Sequence, residues 1–152
     1  MVVAIRLASR SLVYPGCVTH DTKNGRQEPG CPFCEIPREG VVSENELACA
    51  IRDAFPVTSL HTLVIPKRHV RSYFELDDAE HEACNQLLHR QKAMIEREDG
   101  NVGGFNVGVN DGKSAGQTVF HCHIHLIPRR EHDVKDPRGG VRNVILGRAA
   151  YP

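Results

Sequence analysis

A chain of 152 residues with 19 lysines and arginines against 19 aspartates and glutamates carries a formal charge of zero, so no basic field marks bulk DNA or RNA as a partner. Its length suits one domain able to bury a core without covalent staples. No apolar stretch approaches a membrane span, the opening MVVAIRLAS is too short and too interrupted by Arg6 for a signal peptide, and six cysteines without a regular framework point to reduced thiols in a cytoplasmic protein.

Beyond Val13, residues 1–30 run through Pro15, Gly16, Asn24, Gly25, Pro29 and Gly30 with polar residues between. That composition predicts a flexible or surface-lying N-terminal extension ahead of a domain over residues 31–130. Cys31-Pro-Phe-Cys34 admits three assignments: a redox dithiol, half of a zinc site, or two buried thiols. A thioredoxin-like motif should sit in a βαβ unit, and none follows. Zinc requires two further nitrogen or sulfur ligands to close a tetrahedron.

Val41 to Phe55 is predicted as two short strands about the polar turn Ser43-Glu44-Asn45. Leu47, Cys49 and Ile51 alternate with smaller residues, the period of a half-buried strand, before Arg52-Asp53 and Pro56 end it. His61 to Lys67, HTLVIPK, is a third strand, β-branched and closed by proline. Leu76 to Glu98 is the one long helix, opened by Asp77 with Glu80 three residues on and stopped at Asp99-Gly100. Ala83, Cys84, Leu87, Leu88, Met94 and Ile95 form its apolar stripe, with His81, His89 and the charges on a solvated face. Gly103 to Asn110 returns as a strand weakened by glycine and turns at Asn110-Asp111-Gly112.

The densest chemistry lies in Gly116 to Arg130, GQTVFHCHIHLIPRR. His121, His123 and His125 occupy alternate positions, which in an extended strand share one face while Cys122, Ile124 and Leu126 point into a core. Same-face neighbours stand roughly 6.5–7 Å apart, about the span of a phosphate between two imidazoles. Gly116-Gln117-Thr118 just upstream offers a close backbone approach, an amide and a hydroxyl. A metal-binding strand or merely solvated histidines would explain the pattern less fully. No GxxxxGK loop is present, so a P-loop phosphate site is excluded. The tail, residues 131–152, carries Asp136-Pro-Arg-Gly-Gly-Val-Arg142, whose arginines either reach phosphates or are solvated.

His121-Cys-His123-Ile-His125-Leu-Ile matches the pattern His-φ-His-φ-His-φ-φ, with φ apolar. Together with CPFCEI and HTLVIPK, it makes most of Cys31 to Arg130 resemble the histidine triad family of nucleotide hydrolases and transferases. The resemblance implies an α+β fold: a five-stranded antiparallel sheet with one long helix and a short one. It also implies a homodimer in which two copies build a ten-stranded sheet.

The same resemblance implies the roles of residues. His123 would attack an α-phosphorus, His125 would serve as acid and then base, and His61 would hydrogen-bond within the cluster. Asp53 would take the ribose hydroxyls. Asn110, with backbone N–H groups near Gln117 and Thr118, would hold the phosphate oxygens. Phe33, Ile36 and Ile51 would line the base pocket by position. His69 and His121 would complete a structural zinc site with Cys31 and Cys34, His121 otherwise orienting its neighbours. Asn110 is Hint-like and AGQTV Fhit-like, so the chain stands between those branches, and its PRGGVR tail resembles bacterial members described as diadenosine polyphosphate hydrolase-like.

The function implied is hydrolysis at the α-phosphate of a purine nucleotide conjugate, a dinucleoside polyphosphate, phosphoramidate or adenylate. His125 stands where related uridylyltransferases carry glutamine, which favours hydrolysis over nucleotidyl transfer. The alternatives are a nucleotidyltransferase, a nucleotide- or zinc-dependent interaction module with vestigial catalysis, and a thiol redox protein.

Overall fold

The structure, a computed structural model, describes residues 26–147. Most of the expected N-terminal extension therefore lies outside the described residues. Five strands form one antiparallel sheet: β1 (Val41–Glu44), β2 (Ala48–Arg52), β3 (Thr62–Pro66), β4 (Val102–Gly108) and β5 (Ile124–Arg130). Their spatial order is β1-β2-β3-β5-β4, so the last strand of the sequence is inserted beside β3 and leaves β4 on an edge. The α-helix among the described residues, α1 (Asp78–Glu98), supplies the crossover. Among the described residues the expected short second helix is present only as 3-10 turns, at Arg38–Gly40, Tyr73–Glu75, Lys113–Ala115 and Val141–Val144. No helix among the described residues is long and apolar enough to cross a membrane.

The capping pair of α1 forms as its sequence predicts. Asp77 accepts from the Glu80 backbone N–H and Glu80 accepts from that of Asp77, satisfying donors that no helical carbonyl can reach. Glu80 departs from the solvated role expected of the helix charges. Its carboxylate is buried and takes a two-pronged bond from Arg68, Nε to Oε1 at 2.7 Å and Nη2 to Oε2 at 2.5 Å. In the apolar stripe Gln91 is fully buried whereas Met94 is only half-buried. Gln91 is compatible with that position because its Oε1 accepts from Arg52 Nη1 at 3.3 Å.

The helix packs on one face of the sheet, where Ala83, Cys84 and Leu87 meet Ala48, Ala50, Val64 and Ile124. The alanines lie along this seam and let α1 sit close to the strands. On the opposite face Cys49, Leu63 and Ile65 gather with Phe33, Ile36, Val41 and Ile51. β2 is thus covered on both sides over Ala48–Ala50 rather than half-buried. Its small residues are the helix-facing set, not the solvent-facing one.

Register carries the catalytic candidates to the face away from the helix. Leu63 lies opposite His125 and Val64 opposite Ile124, while Gly108 of β4 flanks His125 from the other side. Leu63 belongs to the second cluster and Ile124 to the first, so His125 shares the face of Phe33 and Leu63.

Candidate active site and metal cluster

The three histidines are not three rungs of one ladder. β5 begins at Ile124, and His121 to His123 form an extended lead-in without strand pairing. The opposing strand ends at Pro66, which has no N–H to continue the ladder. Its carbonyl, freed from pairing, lies 2.9 Å from His121 Nε2, and the Cys122 N–H donates to Val70 O at 2.7 Å. This anchors the lead-in, and the Phe33 ring stands edge-on to both His121, at 6.1 Å, and His123, at 5.0 Å. His123 and His125 stay together, their ring centroids 5.1 Å apart.

The partners of His123 and His121 fix which nitrogen of those rings carries the proton, whereas His61 Nδ1 meets both Asp53 and the Val57 N–H. His123 Nδ1 lies 2.8 Å from the His121 carbonyl, which can only accept, so Nδ1 is protonated and Nε2 keeps its lone pair. His121 Nε2 donates to Pro66 O, leaving its Nδ1 lone pair exposed to the two thiols described below. His61 Nδ1 stands 3.3 Å from Asp53 Oδ2, and its Nε2 stands 3.0 Å from His125 Nδ1. Asp53, His61 and His125 therefore form a continuous line ending at His125 Nε2, a buried nitrogen without a hydrogen-bond partner among the described residues. Burial lowers His125 to about 4, helped by the neighbouring His123 and His61, and burial lowers His61 against the pull of Asp53.

A second constellation adjoins the first. Cys31, Cys34, His69 and His121 bring their ligand atoms within 4.8 Å of one another. Each thiol Sγ is 3.5 Å from His121 Nδ1, and Cys34 Sγ is 3.3 Å from His69 Nδ1. A tetrahedral zinc with ordinary bond lengths spaces sulfur and nitrogen about 3.6 Å apart, so the donor set fits that ion. His69 Nε2 makes a 2.9 Å charge contact with Glu28 Oε2 outside hydrogen-bonding geometry, and its Nδ1 faces Cys34 Sγ, so Glu28 acts on this residue through its charge. The turn around Cys31 is bound by Cys31 N–H to Glu28 O, Cys34 N–H to Cys31 O and Glu35 N–H to Cys31 O. Glu28 N–H also donates to Cys34 Sγ at 3.4 Å.

Burial pushes the Cys34 thiol up to about 11, with Cys31 adding to it, the reverse of what a reactive redox cysteine requires. Burial likewise lowers His121 to about 4, keeping it neutral and able to ligate. Cys31, Cys34, Cys49, Cys84 and Cys122 are all free thiols.

Glu28 escaped the sequence reading because it lay in the stretch assigned to the extension. His69 N–H also donates to Arg26 O at 2.7 Å, so Arg26 and Glu28 are both tied to residues of the cluster. The only sequence signal was proximity to the CxxC.

The remaining candidates divide. Phe33, Ile36 and Ile51 are brought to one side of the sheet, and the Phe33 ring stands edge-on to His123 at 5.0 Å. Asp53 accepts from the Phe55 N–H through Oδ1 and faces His61 through Oδ2. A carboxylate has lone pairs to spare for two hydroxyls beyond these. Asn110 is half-buried just past β4, which ends at Gly108, and Thr118 is exposed. Gln117 does not offer its amide to a ligand. Oε1 accepts from the Gly112 N–H and Nε2 donates to Arg71 O, both at 2.8 Å, and its own N–H donates to Gly112 O. It braces the loop over Gly112 and Gly116, whose φ values of +84° and +90° require glycine.

A family model described as the HIT domain matches residues 35–132. The chain is 42% identical over 113 residues to an uncharacterized 16.1 kDa HIT-like protein of Mycoplasma pneumoniae, covering 72% of this chain and 78% of the relative. It is similar to the crystal structure of a zinc-bound histidine triad family protein from Mycobacterium smegmatis, with TM-score 0.60, 37% identity and 68% and 78% of the two chains covered. It is also similar to Plasmodium falciparum diadenosine triphosphate hydrolase in complex with Cyclomarin A, with TM-score 0.59, 31% identity and coverage of 67% and 69%.

Proposed function

Because this chain belongs to the HIT family, we propose that it is a nucleotide-binding hydrolase that cleaves purine nucleotide conjugates at the α-phosphate through a nucleotidyl-histidine on His123. The observation that carries this is the pairing of two nitrogens. His123 Nδ1 is committed to a carbonyl, so Nε2 holds the lone pair, and the adjacent His125 ends in an unpartnered buried Nε2.

In the proposed reaction His123 Nε2 attacks the α-phosphorus and the bond from phosphorus to the leaving group breaks. His125 gives the proton on its Nε2 to the departing oxygen or nitrogen. Water then attacks the phosphoramidate, His125 takes its proton, and the phosphorus–nitrogen bond breaks to release a nucleoside monophosphate. His61 receives the Nδ1 side of His125, and Asp53 offsets the positive charge while His125 is protonated. An incoming phosphate adds negative charge that raises His125 from its depressed value toward neutrality. Asp53 also binds the ribose, Phe33, Ile36 and Ile51 take the base, and Asn110 and Thr118 meet the phosphate oxygens. Gln117 acts through the loop it braces.

Cys31, Cys34, His69 and His121 would hold zinc. Four protein ligands leave no open position, so the ion supplies cross-linking rather than polarisation of substrate. The donor chemistry and the similar zinc-bound protein support this. A homodimer through the edge strand β4 fits its unpaired backbone and exposed Val107, and free thiols suit the cytoplasm.

Rapid quench with dinucleoside polyphosphate, phosphoramidate and adenylate substrates labelled at the α-phosphate tests the reading. Label on wild-type protein that is stable to base and lost in acid is expected. Nucleotide binding without label or turnover would favour the interaction module, and transfer of the nucleotidyl group to added phosphate would favour the transferase.

A further inference from the structure

His121 belongs to both constellations at once. Its Nδ1 faces Cys31 and Cys34, its Nε2 donates to Pro66 O, and its carbonyl holds His123 Nδ1. We propose that occupancy of the Cys31–Cys34–His69–His121 cluster sets the tautomer and position of His123, and that Glu28, through His69, sets that occupancy. This rests on His123 being the nucleophile and adds a control over it.

Three features carry the coupling. The lead-in His121–His123 has no strand partner, so its place is set by packing, by the Cys122 N–H on Val70 O and by the His121 ring on Pro66 O. The bond from His123 Nδ1 to the His121 carbonyl selects between two imidazole tautomers, and a single hydrogen bond is enough to shift such a balance about tenfold. Lastly, Cys31 and Cys34 flank Phe33, whose ring lies 5.0 Å from that of His123 and 6.1 Å from that of His121. Ligation by the two cysteines therefore draws an aromatic wall against the attacking imidazole, while ligation by His121 fixes the carbonyl that orients it. The metal-binding turn touches His123 from both sides without supplying a group to the reaction.

Glu28 is the handle. Its carboxylate stands 2.9 Å from His69 Nε2, and its N–H donates to Cys34 Sγ. Glu28→Gln keeps the size and the backbone donor but removes the charge that makes His69 a better ligand. Loss of such an outer partner weakens metal binding about 10–100-fold.

The test uses full-length protein labelled with nitrogen-15 in histidine, with free zinc fixed by a chelator buffer and the fold followed by circular dichroism. In wild type and Glu28→Gln the His123 ring shifts should follow occupancy along one curve, displaced to about 10–100-fold higher zinc in the variant. Single-turnover labelling of His123 should fall about 10–100-fold between full and low occupancy. The Kd for a non-hydrolysable nucleotide should change less than the labelling rate does, since of the base and ribose contacts only Phe33 sits on the metal-binding turn. Identical His123 shifts at full and negligible occupancy in folded protein would overturn the coupling, and unchanged zinc affinity in Glu28→Gln would overturn the part assigned to Glu28. If metal removal unfolds the chain, exchange of zinc for the larger cadmium ion keeps the ligands and the fold. His123 shifts that ignore the exchange then count against the proposal, and shifts that move with it count for it. The shifts need no substrate, so a protein inert toward every conjugate but with metal-dependent His123 shifts would sink the hydrolase reading alone.

Discussion

His123 directs its Nδ1 to the carbonyl of His121, two positions earlier in the chain, at 2.8 Å. A residue can reach back this way only where the backbone has left the sheet ladder, and here Pro66 ends that ladder. His123→Ala should abolish turnover by more than about a thousandfold, as loss of a nucleophile does, with covalent label absent. Calorimetry with a non-hydrolysable nucleotide should show binding nearly intact. Equal loss of binding and turnover would mean that His123 holds substrate instead of attacking it.

His125 occupies the end of the line from Asp53 through His61. Its removal should matter in proportion to how badly the leaving group needs a proton. His125→Ala is expected to slow cleavage of poor leaving groups about 10²–10⁴-fold and to spare good ones. A series of substrates graded by leaving-group pKa measures this as a steeper dependence in the variant. An unchanged slope would assign the proton to another group.

Stability should decline on mild acidification. Burial holds His125 at about 4 against an ordinary 6.5, and lowers His61 as well. Between those values the unfolded chain binds protons that the folded chain refuses. Stability is therefore fully present above about pH 6.5 and is lost as pH falls toward 4. Urea midpoints at pH 7.5, 6 and 5 should fall in that order, and less steeply for His125→Asn. Parallel slopes would show that other groups dominate.

Glu80 joins the helix cap to Arg68 through a carboxylate only 4% exposed. Glu80→Ala removes the back-bond to Asp77 N–H and leaves the Arg68 guanidinium with Glu75 O and solvent. A loss of about 2–3 kcal/mol in urea denaturation is expected, with Glu80→Gln milder because the amide oxygen still accepts.

What could be recognised from the sequence was local or repetitive. Asp77 and Glu80 lie within one turn, so their cap is visible in the string, whereas the second role of Glu80 depends on Arg68, which only folding brings near. Alternation placed Cys122, Ile124 and Leu126 in the core, and they are buried. It did not reveal that strand pairing begins only at Ile124, because a ladder ends where its partner strand ends. Gln117 has the composition of a ligand-binding residue, but the direction of its amide is fixed by Gly112 and Arg71. Glu28 had no periodicity to mark it, and its role depends on His69 across the fold.

Cys31 and His121 stand 90 positions apart, and their meeting has a consequence for how the chain folds. Bringing together the ends of a loop that long costs about 4 kcal/mol in chain entropy. The β1–β2–β3 meander needs only neighbouring turns, and α1 can settle on it before β5 arrives. β4 and β5 pair as sequence neighbours, and their docking on β3 is the long-range step that brings His125 to His61. Partial opening from the β5 side would disperse the catalytic constellation while helix and meander persist, so activity should vanish before helical signal does on gentle denaturation.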